Sequence, residues 1–305
     1  MLDTLTGFAV VAVAIAVGYV IGRIDLLGPH ARHVLARLNF FVLSPFLLFS
    51  VLAHADAAML FSALLPVSAI AAVAVIAVYA LVARLVWRRT IGETVIGALS
   101  AGQVNSNNIG IPLSIYLLGS AAYPAPVLLM QLLVFTPISL TILDAITSDT
   151  ISIRRTLTRT ATNPIIIGSV LGTLVSVFDI PVPNIVMDPV QLIADAAVPV
   201  LLISYGISLY GQRVLGTRGY RRDVILASVL KLLVMPLAAW AAALAFGLPS
   251  AQVLIVVVLA ALPTAQNVFN YSQRYDVAEP ISRDTVFLTT IGCLPVLLLA
   301  TVLLG

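Results

Sequence analysis

Apolar segments about as long as a bilayer is thick recur from one end of this chain to the other, and they constrain its fold more than any other feature. Ten can be counted, at approximately 4–22, 34–53, 59–87, 92–118, 122–146, 162–178, 189–210, 224–246, 251–275 and 283–304. A helix needs about 20 apolar residues to cross the hydrocarbon, and most of these suffice; the sixth, opening at Asn163-Pro164, is the shortest. Backbone polar groups in lipid must be satisfied internally, so spans of this kind are helices. The expected class is an all-α membrane protein with ten transmembrane helices. Only 10% of the residues are charged, against about 25% in a soluble domain.

The first run, Leu5 to Ile21, has Asp3 before it and Arg23 behind it. A cleaved signal peptide has the opposite charge order, so this run reads as a retained span. Cys293 is the single cysteine, and no disulfide framework follows. The basic pI is no sign of nucleic-acid binding, because the arginines have a topological explanation. Of the 16 basic residues all but Lys231 are arginine, and every arginine lies in or beside an odd-numbered connection. Arg23, Arg32 and Arg37 flank the first, and Arg84, Arg88 and Arg89 the third. Arg154, Arg155 and Arg159 lie in the fifth, Arg213, Arg218, Arg221 and Arg222 in the seventh, and Arg274 and Arg283 bracket the ninth. The positive-inside rule puts these connections in the cytoplasm and both termini outside.

Two stretches resemble each other. Ala101-Gly102-Gln103-Val104-Asn105-Ser106-Asn107-Asn108-Ile109 lies midway along span 4. Ala260-Ala261-Leu262-Pro263-Thr264-Ala265-Gln266-Asn267-Val268 lies midway along span 9. Aligned without a gap, they pair Asn105 with Thr264 and Asn108 with Asn267. Pro45-Phe46-Leu47-Leu48-Phe49-Ser50 in span 2 likewise matches Pro199-Val200-Leu201-Leu202-Ile203-Ser204 in span 7. Chance similarity between Leu- and Ala-rich helices is the competing account. Two matches at equivalent places favour halves of five spans each, 1–150 and 151–305, joined around Thr147 to Thr162. Five is odd, so the second half is inverted relative to the first, a plan common in secondary transporters.

Gly102 and Pro263 disfavour helix where the amides cluster, and interrupted spans at corresponding places mark a transporter's binding site. Each break leaves one helix end with unpaired carbonyls and another with unpaired amides, worth roughly −0.5 and +0.5 charge. The amide ends suit an anion. Asn105 and Asn108, like Thr264 and Asn267, are three apart and share a face. Hydrogen bonding among Asn107, Asn108, Gln266 and Asn267 is the plainer account of those four. Lys231, inside span 8, is either a fixed charge beside the breaks or a lysine snorkelling to the interface. Asp195, inside span 7, is either a proton-coupling carboxylate or a hydrated residue near the outer surface. Asp144 is expected at the cytoplasmic interface. His30, His33 and His54 lack partners at metal-ligand spacing. No phosphate-binding loop, nucleophile elbow or zinc-protease motif is present, so no metal site, cofactor or enzymatic activity is expected.

At this point the sequence resembles a known family. Asn105-Ser106-Asn107-Asn108-Ile109-Gly110-Ile111-Pro112 is similar to a signature of the auxin efflux carrier family. Leu262-Pro263 with the run to Arg274-Tyr275 resembles its second crossover, and Lys231 to Pro236 and Pro199 to Leu202 with Gly206 resemble its bacterial members. The resemblance implies a bile-acid-transporter-like (NhaA-like) fold in which broken helices 4 and 9 cross. It implies a scaffold of spans 1, 2, 6 and 7, a transport domain of spans 3–5 and 8–10, and elevator-type carriage of small organic anions, carboxylates especially. By position, Asn105 resembles the binding crossover Asn, Pro263 the second crossover Pro, Gln131 a binding Gln, and Ser50 a scaffold Ser facing the substrate. Plant members have Pro where this chain has Val104, so the first break rests on Gly102 and the amides.

The expected substrate-binding set is Asn105, Asn108, Thr264, Gln266, Asn267, Gln131 and Ser50, with Gly102, Val104 and Pro263 shaping the breaks. Asp195 and Lys231 are the coupling candidates, and a sodium ion near Gln266 and Asn267 is the alternative source of energy, as in a bile-acid-like symporter. A channel, a sensor and an intramembrane enzyme are the rival classes. The expected setting is the cytoplasmic membrane, with the lipid bilayer and a small organic anion as partners, no nucleic acid, and a homodimer formed through the scaffold.

Overall fold

The computed structural model describes residues 2–55, 63–147, 158, 161–211 and 215–305. Most of the expected linker, with Arg154, Arg155 and Arg159, lies outside these, as does Arg213. Among the described residues the chain is all-α, and its only strand-like contact is a single antiparallel bridge between Val104 and Thr264. Six helices are long and apolar enough to cross a membrane, and four shorter ones are apolar. Two of the short ones, Ile91–Gly102 and Ser250–Ala261, stop where the sequence places its interruptions.

The chain divides into two compact units. The first comprises Met1–Ser62, Asn107–Leu129 and Thr158–Gln212. In it α1 (Leu2–Arg23) packs on Asn184–Leu209, and Ser44–Ala53 packs on Pro164–Val177. Glycine permits both contacts. A Cβ on Gly18 would strike the Ile203 carbonyl oxygen, and one on Gly206 the Ile15 oxygen; on Gly168 it would strike the Pro45 oxygen, and on Gly172 that of Phe49. Gly18-Tyr-Val-Ile-Gly22 and Gly168-Ser-Val-Leu-Gly172 are thus two small-xxx-small stripes that bring backbones together. In lipid such packing replaces the hydrophobic effect as the source of helix association. Helix Pro164–Val177 starts as its sequence demands, with Pro164 in its first turn and the Asn163 side chain accepting from Ile165 N at 2.9 Å.

The second unit comprises Ala63–Ser106, Met130–Leu157 and Arg213–Gly305. Helix Leu64–Leu81 packs against Ile91–Gly102, Met235–Ala245 and Ser250–Ala261. Thr90 and Glu93 cap the helix Ile91–Gly102 reciprocally: Glu93 N donates to Thr90 Oγ1, and Thr90 N to Glu93 Oε2. The Asp223 carboxylate, fully buried, accepts from Arg89 Nε at 3.0 Å and from the Tyr79 hydroxyl at 3.2 Å. This joins the ends of three helices.

Among the described residues five helices widen to an i→i+5 turn, over Asn39–Leu43, Val82–Val86, Ser106–Gly110, Gln131–Phe135 and Leu230–Val234. All but Val82–Val86 end two residues before a proline: Pro45, Pro112, Pro137 and Pro236. A proline ring clashes with the carbonyl four residues back and offers no N–H to it. Those carbonyls belong to Phe41, Asn108, Leu133 and Leu232, the middle residue of each turn. Widening relieves the clash, and Ser44 N then donates to Asn39 O, Thr136 N to Gln131 O and Met235 N to Leu230 O.

Candidate functional site

Both interruptions lie in the second unit and meet there. Helix Ile91–Gly102 ends when Gln103 turns extended, with Gln103 N donating to Leu99 O at 2.8 Å. Helix Ser250–Ala261 ends at Leu262, also extended, and helix Gln266–Tyr275 begins four residues later. Pro263 cannot continue the helix. Between the helix ends the two short strands of backbone run antiparallel. Asn105 N donates to Pro263 O at 2.8 Å, and Ala265 N donates to Gln103 O at 3.0 Å. Groups freed by breaking two helices thereby satisfy each other, as they must away from water. Gly102 is needed for more than its low helix propensity, because a Cβ there would strike the Ile76 side chain.

Side chains of the same unit satisfy what remains. Gln131, in a widened turn, accepts from Val104 N at 2.8 Å through Oε1 and donates to Ser106 Oγ at 3.2 Å through Nε2. Thr264 Oγ1 donates to Ser100 O at 2.6 Å, one of the last carbonyls of its helix. Thr264 N donates to Thr289 Oγ1 at 3.0 Å, and that hydroxyl donates in turn to Thr285 O at 2.7 Å. Gln131 and Thr264 therefore already hold the breaks in shape.

Lys231 is fully buried, and its Nζ donates to Ala260 O at 2.7 Å and to Met235 Sδ at 3.1 Å. Snorkelling is excluded by this placement. The ammonium sits on a terminal carbonyl of helix Ser250–Ala261, at the negative end of its dipole. Gln266 and Asn267 open helix Gln266–Tyr275, whose N-cap residue, Ala265, makes no side-chain cap. Gln103, which the sequence did not single out, is 2% exposed, and its Nε2 has no hydrogen-bond partner. Helix Gln266–Tyr275 is tied to Thr136–Thr147 by two tyrosines: Tyr271 Oη lies 2.9 Å from Thr136 Oγ1, and Tyr275 Oη donates to Asp144 Oδ1 at 2.7 Å.

The other candidates belong to the first unit. Asn107 Nδ2 donates to Ser44 Oγ at 2.9 Å and to Asn108 Oδ1 at 3.1 Å. Ser50 is buried and donates to Gln191 Oε1; Gln191 Nε2 donates to Asp195 Oδ1 at 2.6 Å. Ser50 and Asp195, singled out separately in the sequence, are thus linked through one amide. Asp195 itself is exposed, midway along a 26-residue helix.

The sequence that forms these breaks matches a protein family along nearly its whole length. A profile described as membrane transport protein matches residues 4–149 and 147–301. The chain belongs to this family, which is that of the auxin efflux carriers. No curated protein matches the sequence. Membership makes the chain a multi-pass membrane transporter.

Proposed function

We propose that the chain is a secondary transporter that moves a small organic anion, a carboxylate, across the cytoplasmic membrane by elevator-type alternating access. The observation that carries this reading is the antiparallel pairing of the two breaks, Asn105 N on Pro263 O and Ala265 N on Gln103 O. It sets the positive end of helix Gln266–Tyr275 among buried amides. A helix N-terminus of this kind favours an anion. Asn105, Gln266 and Asn267 are the substrate contacts in this scheme, Gln131 and Thr264 maintain the breaks, and Lys231 neutralises the opposite, carbonyl end.

Two inverted five-span repeats with both termini outside are part of the same proposal. Support comes from the first unit: span 1 packs on span 7 and span 6 on span 2, and each pair is opened by its own glycine stripe. That unit is the scaffold and the face for a homodimer in this scheme, and Ser50 and Asn108 belong to it. Either Asp195 or a sodium ion near Gln266 and Asn267 supplies the coupling.

The test is uptake of radiolabelled carboxylates into proteoliposomes. Asn105→Ala is expected to abolish uptake while protein of normal size-exclusion profile is retained. Replacing sodium by choline stops a sodium-driven carrier, whereas Asp195→Asn uncouples a proton-driven one. Unchanged uptake in Asn105→Ala would refute the site, and unsaturable conductance in single-channel recording would replace the carrier by a channel.

A further inference from the structure

We infer that Gln103 is a ligand-binding residue of this site, whose Nε2 donates to the carboxylate, and that the site takes a monoanion in preference to a dianion. The inference rests on the reading of the paired breaks as the place where substrate binds.

Two independent observations meet at Gln103. Its backbone is pinned to the start of helix Gln266–Tyr275, because its carbonyl accepts from Ala265 N at 3.0 Å. The N-cap residue of that helix, Ala265, makes no side-chain cap. Its side-chain amide is sealed from solvent at 2% exposure, and Nε2 has no partner. A donor left unmade in an apolar interior is destabilising, and buried groups that persist in that condition call for a specific explanation. The neighbouring polar groups do not supply a partner. Gln131 spends both ends of its amide on Val104 and Ser106, Thr264 its hydroxyl on Ser100, and Thr289 its hydroxyl on Thr285. A carboxylate oxygen beside the first turn of helix Gln266–Tyr275 supplies the missing acceptor. It also meets the positive end of a helix dipole.

The charge of the ligand follows from the charges around it. Lys231 is the buried cation of this unit among the described residues, and it is committed to Ala260 O. The two buried carboxylates, Asp223 and Asp284, are paired with Arg89 and Arg283. What remains for a ligand is neutral donors and roughly half a positive charge from one helix end. That balances one carboxylate and leaves a second uncompensated in an apolar medium.

The experiment is thermal shift and flux on the purified full chain, with acetate, propionate and benzoate against malonate and succinate. It uses wild type, Gln103→Leu and Gln103→Glu. Wild type is expected to be stabilised by a monocarboxylate and less by either dicarboxylate. Gln103→Leu removes the unpaired donor, so without ligand it is expected to melt at or above the wild-type temperature. It binds the monocarboxylate roughly 10- to 100-fold more weakly, the loss expected for one hydrogen bond to a charged group. Gln103→Glu, the same size, has no donor once ionised and then sets a negative charge beside that of the ligand, so in assays at alkaline pH it is expected to lose binding as well. A Gln103→Leu protein that melts lower and keeps its ligand shift, or a Gln103→Glu protein that binds like wild type at alkaline pH, overturns the role of Gln103. Tighter binding of the dicarboxylates overturns the charge rule. A wild type that neither binds nor moves any carboxylate removes the anion site itself, and this inference with it.

Discussion

Replacing Gln131 by Met tests how the first break is held. Met matches Gln in length and flexibility but has neither the Oε1 that accepts from Val104 N at 2.8 Å nor the Nε2 that donates to Ser106 Oγ at 3.2 Å. Val104 is 2% exposed, so its N–H finds no water in exchange. An orphaned buried donor costs about 1–3 kcal/mol and the longer bond to a neutral hydroxyl about 0.5–1.5. The break is therefore destabilised by about 2–4 kcal/mol in the absence of any ligand. Where amide exchange follows local opening, that corresponds to roughly 30- to 700-fold faster exchange. Hydrogen–deuterium exchange of a peptide spanning residues 101–108 reads this directly, with helix Ser250–Ala261 as the internal reference. Wild-type exchange in that peptide, with loss confined to substrate binding, would refute the bracing role and leave Gln131 as a ligand contact alone.

Three further outcomes are expected. Gly18→Leu places a branched side chain against the Ile203 carbonyl and should destabilise the first unit by about 1–3 kcal/mol, the usual range for overpacking, seen as a lower melting temperature in detergent. Asp223→Asn leaves Arg89 only the longer pair with Glu93, at 3.8 Å; loss of one member of a fully buried pair costs about 3–5 kcal/mol, and the effect here should be smaller because Glu93 remains and the Arg89 side chain is 24% exposed. Combining it with Arg89→Met should recover part of the loss in the same melting assay. Lys231→Met removes a charge from a fully buried position and should leave thermal stability unchanged or raised while slowing proteoliposome uptake; unimpaired uptake would remove Lys231 from the mechanism.

The interruptions were legible because Gly102 and Pro263 are conspicuous in otherwise apolar spans, and the amide cluster marks the same depth. Their pairing was not, since backbone bonds such as Ala265 N to Gln103 O leave no trace in side-chain pattern. Gln103 is not marked in the sequence, because a lone glutamine next to three asparagines looks like one more member of the cluster; the sealing of its Nε2 depends on packing. Lys231 was ambiguous because stem length permits two directions, and neighbours distant in sequence decide between them. Asp223 and Arg89 lay at the margins of spans, where charge reads as topology, and their pairing depends on helices 134 residues apart. The link from Ser50 to Asp195 was hidden for the same reason: Gln191, one turn before Asp195 on the same helix, reaches across to Ser50 on another.

The four proline-relieved turns have an effect beyond their own residues. Accommodating one extra residue in a turn advances the azimuth of everything downstream by about 100°, the angular step of an α-helix. Each of these rods is therefore two out-of-phase segments laid end to end. Gln131 and Lys231 both occupy such a phase change, and their headings toward Val104 and Ala260 are set by Pro137 and Pro236, residues that touch neither. Substituting either proline would let the rod re-wind and swing a whole flank of side chains away from its present bearing.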